Sequence, residues 1–153
     1  MKPNEQILTQ VVEDTFASMA FMFPGGECDD SPVETATVTV AFAGPERGWL
    51  EMTLPKGMLD ALAANMLGLE ESEVATPEQK SDAVREILNV ICGNLLPLID
   101  DPRAVYSVSP PVVESAAPCH GQAPSATARV ALENGTVGLL LFQQCDSTAP
   151  VAG

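Results

Sequence analysis

The sequence predicts an α+β (mixed α/β) fold, a two-layer sandwich in which a largely antiparallel sheet packs against three helices. Three observations point there. Apolar residues recur at helical spacing in three separate stretches, 4–23, 56–69 and 77–96. Four shorter runs, 35–42, 49–54, 126–133 and 136–143, are bounded by turn residues, and the first two alternate as half-buried strands do. The order helix, two strands, helix, long helix, strand, hairpin then combines antiparallel hairpins with helices that share one face. With 153 residues, 46% of them apolar, the chain suits one domain over residues 1–153.

Residues 4–23 carry Leu8, Val11, Val12, Met19, Met22 and Phe23 on one helical stripe, which Pro24-Gly25-Gly26 ends. Thr35 to Phe42 sets Thr37, Thr39 and Ala41 against Val38, Val40 and Phe42, a strand with one buried face. Trp49 to Leu54 repeats the pattern with Leu50, Met52 and Leu54, and Gly44 to Gly48 reads as the tight connection of a hairpin. Lys56 to Leu69 keeps Met58, Leu59, Leu62, Met66 and Leu69 at helical spacing.

The third helix opens most clearly. Thr76 is its N-cap, Pro77 fits the first helical position, and Gln79 completes a T-x-x-Q capping box. It is expected to run to about Leu96, with Pro97 and then Asp100-Asp101-Pro102 ending it. Ala104 to Ser109 is a short strand stopped by Pro110-Pro111, and the Pro, Ala, Ser and Gly of 114–124 suggest a loop. Ala126 to Glu133 and Thr136 to Gln143 flank Asn134-Gly135, which is expected to form a type I′ turn.

Seven basic residues against 21 acidic ones give a net charge of -14. Such a field repels nucleic acid and anionic membrane surfaces, so neither is expected as a partner. No charged-then-apolar leader opens the sequence, and no window approaches about 18 uninterrupted apolar residues. A cytoplasmic location is expected. Cys28, Cys92, Cys119 and Cys145 are scattered without a C-x-x-C pair, and His120 is the one histidine, so no metal site is expected. Cys92 and Cys145 suggest buried or half-buried thiols. Cys119 beside His120 makes a poor nucleophile and base, because adjacent side chains rarely face each other.

The chemistry concentrates on 81–94. At about 100° per residue, Val84, Ile87, Leu88, Ile91, Leu95 and Leu98 form the apolar stripe, while Asp82, Glu86, Asn89 and Gly93 fall on the other side. Burial needs only the first set. Glu86 and Asn89 are three apart, so they are neighbours that can act on one incoming group. A mid-helix glycine costs about 1 kcal/mol relative to alanine, and a partner surface that must come close explains Gly93.

The pattern D-x-x-x-E-x-x-N followed by G-N, here Asp82, Glu86, Asn89, Gly93 and Asn94, resembles the CheC, CheX and FliY family of chemotaxis phosphatases. A single copy favours the CheX-like branch, and the order of elements matches it too. The family pattern places a proline slightly later than Pro110 or Pro111. On the first helix, where some relatives carry a second motif, Glu13 is followed three residues on by Phe16 and not by Asn, so no second site is expected.

The resemblance implies hydrolysis of the aspartyl-phosphate of a chemotaxis-type response regulator. Asn89 would position the attacking water, Glu86 would pair with a lysine near the partner's phosphorylation site, and Asp82, Gly93 and Asn94 would contact the partner. It also implies no cofactor of the chain's own, since Mg²⁺ and the phosphorylated aspartate both belong to the regulator, and a homodimer joined through its sheets. The chemistry is compatible: acyl-phosphate hydrolysis needs mainly positioning and charge stabilisation, and a carboxamide can accept from water while donating to the phosphoryl group. The alternatives are a non-catalytic module docking a receiver domain or flagellar switch component, which has no need of the amide, and a structural dimer using an edge strand such as Ala126 to Glu133.

Overall fold

Period-two alternation selects the inner face of the sheet, and the helices cover that face. The computed structural model describes residues 3–28, 31–70, 73–113 and 122–143; Cys119, His120, Cys145 and most of the expected loop at 114–124 lie outside them. The elements are α1 (Pro3–Ala20), β1 (Thr35–Ala43), β2 (Arg47–Pro55), a 3-10 turn at Lys56–Met58, α2 (Leu59–Leu67), α3 (Pro77–Ile99), β3 (Ser107–Val108), β4 (Val112–Val113), β5 (Ala126–Leu132) and β6 (Gly135–Gln143). The strands form one antiparallel sheet ordered β3-β1-β2-β6-β5, with β4 also paired to β1. This is the α+β two-layer architecture the sequence predicts.

Register lines the core up in rows. Val38 pairs with Met52 and Met52 with Leu139, while Val40 pairs with Leu50 and Leu50 with Leu141. All six are fully buried with Leu8, Val12 and Phe16 of α1 and Val84, Ile87, Leu88, Ile91 and Leu95 of α3. Each such side chain contributes about 1.5–3 kcal/mol of burial. Helix α3 is the hub of the helical layer, packing on α1, α2 and β1.

Several boundaries differ from the expectation. Helix α1 stops at Ala20, before Pro24, because Phe21 turns left-handed (φ 54) and the Met22 amide donates back to the Phe16 carbonyl at 3.2 Å. Phe23 therefore leaves the stripe and is half exposed. Helix α2 ends at Leu67, where Gly68 takes a left-handed cap and the Leu69 amide donates to the Ala64 carbonyl. Strand β2 begins at Arg47, so Gly48 lies inside the sheet opposite Phe42 and Gln143. The outer face of β1 is not fully open: Thr39 and Ala41 are buried, flanked in register by Glu51 and Val112, and by Trp49 and Ser109.

Helix α3 starts as expected. The Gln79 amide donates to the Thr76 hydroxyl at 3.1 Å and the Thr76 amide to the Gln79 side chain at 2.9 Å. It runs through Pro97 to Ile99, however. The lost hydrogen bond is the one to the carbonyl of exposed Gly93, where water can replace it, and the Asp100 amide still closes the last turn on Leu96. In that turn the half-buried position falls to Ile99, and Leu98 is 59% exposed.

The β5–β6 turn is Glu133-Asn134, with Leu132 paired to Gly135, and it is not type I′. Neither central residue has positive φ; Gly135 takes that conformation instead (φ 150), and a Cβ there would lie 3.0 Å from the Met58 sulfur. Glu133 is held on its other side, its amide donating to the Phe23 carbonyl and its carboxylate accepting from the Phe23 amide.

Both sheet edges are modified. Pro110-Pro111 interrupts pairing with β1, but the ladder resumes at Val112-Val113 with its register moved by one residue, from Val108 opposite Phe42 to Val112 opposite Thr39. At the other edge, Pro24 bridges Leu132 and the Gly25 amide donates to the Ala131 carbonyl, covering one end of β5. Ala126 to Leu132 is thus an edge strand, as expected, with its C-terminal end covered.

Candidate functional site

Helix α3 presents its polar side to solvent because its opposite side is locked between sheet and helices. Asp82, Glu86, Asn89, Gly93 and Asn94 are all exposed, whereas Val84, Ile87, Leu88, Ile91 and Leu95 are buried. Buried Cys92 shares the inner side, and desolvation pushes its thiol up to about 12, leaving it protonated and inert. On α1, Phe16, three residues after Glu13, is fully buried.

Glu86 and Asn89 border an open groove of ≈ 430 Å³ that lies between Asp82, Arg85, Glu86 and Asn89 on α3 and Val108 to Pro111 on the facing segment. Two clamps hold that second wall. The Ser109 amide donates to the Ala41 carbonyl at 2.8 Å and the Ala41 amide donates to the Ser109 hydroxyl at 2.9 Å, fixing the residue before the proline pair against β1. The Tyr106 hydroxyl donates to the Asp100 carboxylate at the end of α3, and its ring packs edge-on against Phe42. That hydroxyl, with the Asp101 amide, holds the Asp100 carboxyl below the ordinary carboxylate range; burial and the Asp100 charge push the Tyr106 phenol upward. The segment leaving α3 is thus tied back to the helix that carries the acid and the amide.

Asp82 is engaged by Arg85, one turn along the same helix, in an ion pair. Gly93 continues the line beyond Asn89, and a Cβ placed on it would meet no atom within 4 Å. Asn94 is exposed on the turn after Asn89 and outside the groove. Arg85 and the Pro110-Pro111 pair also line the groove, and neither was expected in the site. The signal for Arg85 was its spacing, three from Asp82 and four from Asn89; the signal for the prolines was weaker, because their place beside α3 depends on pairing with β1.

The model of the family described as chemotaxis phosphatase CheX matches residues 36–133. No curated protein sequence matches the chain. Among solved structures, the chemotaxis protein CheX from Desulfovibrio desulfuricans superposes with a TM-score of 0.71 at 16% identity, covering 93% of this chain and 99% of that one. CheX from Vibrio vulnificus gives 0.67 at 17% identity over 93% and 97%. A CheX from Borrelia burgdorferi, in a CheX–CheY–BeF₃–Mg²⁺ complex, gives 0.64 at 13% identity over 91% and 96%. These structures share the fold, and the matched family model takes in β1, β2, α2, the whole of α3 with its exposed acid and amide, and β5: the chain belongs to the CheX family of chemotaxis phosphatases.

Proposed function

We propose that this protein hydrolyses the aspartyl-phosphate of a chemotaxis-type response regulator, with Asn89 positioning the attacking water and Glu86 docking the regulator. The observation that carries the reading is the exposed Glu86 and Asn89 pair, set at i and i+3 beside a groove walled by Pro110-Pro111, on a helix whose other side is immobilised in the core. A CheX held with CheY in the Borrelia burgdorferi complex supports a receiver domain as the partner.

In the reaction, water attacks the phosphorus and the bond between phosphorus and the aspartyl oxygen breaks. The electron pair stays on the regulator's carboxylate, and the protons of the water leave with the phosphate. The Asn89 carbonyl accepts from the water while its NH₂ donates to a phosphoryl oxygen. Glu86 pairs with a lysine beside the phosphorylation site. Mg²⁺ belongs to the regulator in this reading; among the described residues no group of three or more His, Cys, Asp or Glu is arranged to hold a metal ion. No described helix is long and apolar enough to cross a membrane, and we keep the cytoplasm as the proposed location. Phosphate release from a panel of phosphorylated receiver domains, with and without the protein, tests the function; no acceleration with any of them removes it.

Asp82, Gly93 and Asn94 complete the proposed partner surface. Because nothing surrounds the missing Cβ of Gly93, Gly93→Ala is expected to stabilise the free protein by about 1 kcal/mol. Gly93→Leu is expected to weaken binding of the phosphorylated regulator, read by titration; unchanged affinity removes Gly93 from the contact surface.

We also propose a homodimer joined through the sheets. The bridge from Phe23 to Gly25 leaves the N-terminal half of β5 for such pairing among the described residues. Light scattering at micromolar concentration decides it, since a mass near 16.1 kDa is the monomer.

A further inference from the structure

We propose that Arg85 is a third catalytic residue of this site, which binds the equatorial oxygens of the phosphoryl group while Asn89 holds the water. This rests on the phosphatase reading above. Arg85 lines the same groove as Glu86 and Asn89, and it is the one cation among the residues that line it. Taking about 100° per residue, Asn89 falls between Arg85 and Glu86 on the helix surface, with Arg85 four residues before it and therefore adjacent.

Three physical points single Arg85 out. Its ion pair with Asp82 is exposed, with side chains 44% and 68% accessible, so it contributes little to the stability of the fold. What the pair does is restrict a long, flexible side chain to the groove side of the helix before a partner arrives. Next, the chain carries a net charge of -14, and Asp82 and Glu86 add two carboxylates at the groove itself. A phosphoryl dianion entering there meets repulsion that a single guanidinium offsets. Lys80 and Arg103 are committed elsewhere, to Asp60 and Asp101. Last, a guanidinium presents a planar fork that matches two phosphoryl oxygens at once, and charge on those oxygens must be stabilised as the bond to the aspartate breaks. No proton moves to or from Arg85; it supplies charge and orientation only.

The test measures kcat and KM for hydrolysis of a receiver domain phosphorylated with acetyl phosphate, for the parent, Arg85→Gln, Arg85→Lys, Asp82→Asn and Asn89→Ala, with circular dichroism to confirm the fold. Arg85→Gln is expected to lower kcat by about 100-fold and Arg85→Lys to recover part of it, because the charge returns without the fork. Asp82→Asn is expected to lower kcat less, since it removes the tether and leaves the guanidinium, while the loss of its own partner contact is read in KM. A contact that merely docks the partner raises KM and leaves kcat alone, and that outcome overturns the proposal. So does a parental kcat for Arg85→Gln beside an inactive Asn89→Ala, a result that leaves the phosphatase reading standing. A parent inactive on every phosphorylated receiver overturns the phosphatase reading, and the role of Arg85 with it.

Discussion

Replacing Asn89 by alanine is expected to slow regulator dephosphorylation by about 100-fold or more, since losing the orientation of one reacting group commonly costs that much. The melting temperature should hardly move, because the side chain is exposed and the buried residues of α3 do not depend on it. Glu86→Ala, on the same line of the helix, is expected to act differently. A docking carboxylate contributes equally to ground state and transition state, so its loss raises KM more than it lowers kcat. Steady-state kinetics on a phosphorylated receiver domain separates the two. Parental rates in both variants would remove the pair from the chemistry.

Gly48→Ala is expected to give the largest loss of stability. Inside β2, a Cβ at this position would lie 2.2 Å from the Phe142 carbonyl oxygen and 2.5 Å from the Phe42 ring. The first obstacle is backbone of β6, and the second is a fully buried ring in the core, so neither yields easily. Overpacking of this kind costs about 3 kcal/mol, which for a domain of this size lowers the melting temperature by about 10 °C. Gly57→Ala is the control, because no atom lies within 4 Å of its added Cβ; its change should stay within about 0.5 kcal/mol. Equal melting temperatures for the two variants would show that the sheet accommodates a methyl group at Gly48.

The start and the facing of α3 were legible because each is determined within one element. The capping box at Thr76 and Gln79 is a contact between near neighbours, and the helical period alone puts Glu86 and Asn89 outside and Ile87 and Leu88 inside. The turn at Glu133-Asn134 was not legible, because Phe23 and Met58, distant in the chain, impose its geometry on the Asn-Gly pair. Helix α3 outran Pro97 for a reason that composition conceals: the unmatched carbonyl belongs to an exposed residue. Strand β4 follows two prolines and forms only because β1 has an edge to offer. The proline wall of the groove inherits that dependence, as does every part of the site not on α3 itself.

Strand β6 follows every other described strand in the sequence, yet it sits between β2 and β5. During synthesis the ribosome therefore releases β2 and β5 before the strand that joins them exists. The edge of β2 must wait, open, through the whole length of α2, α3 and β5. Completion is a late insertion rather than a progressive zipping, which slows folding relative to proteins built from local contacts. Leu139 and Leu141, which share the core with the buried side of α3, arrive in that last step. Helix α3 can seat on α1, α2 and β1 earlier, so the waiting β2 edge, with the core face that β6 will complete, is what a holding chaperone has most to protect.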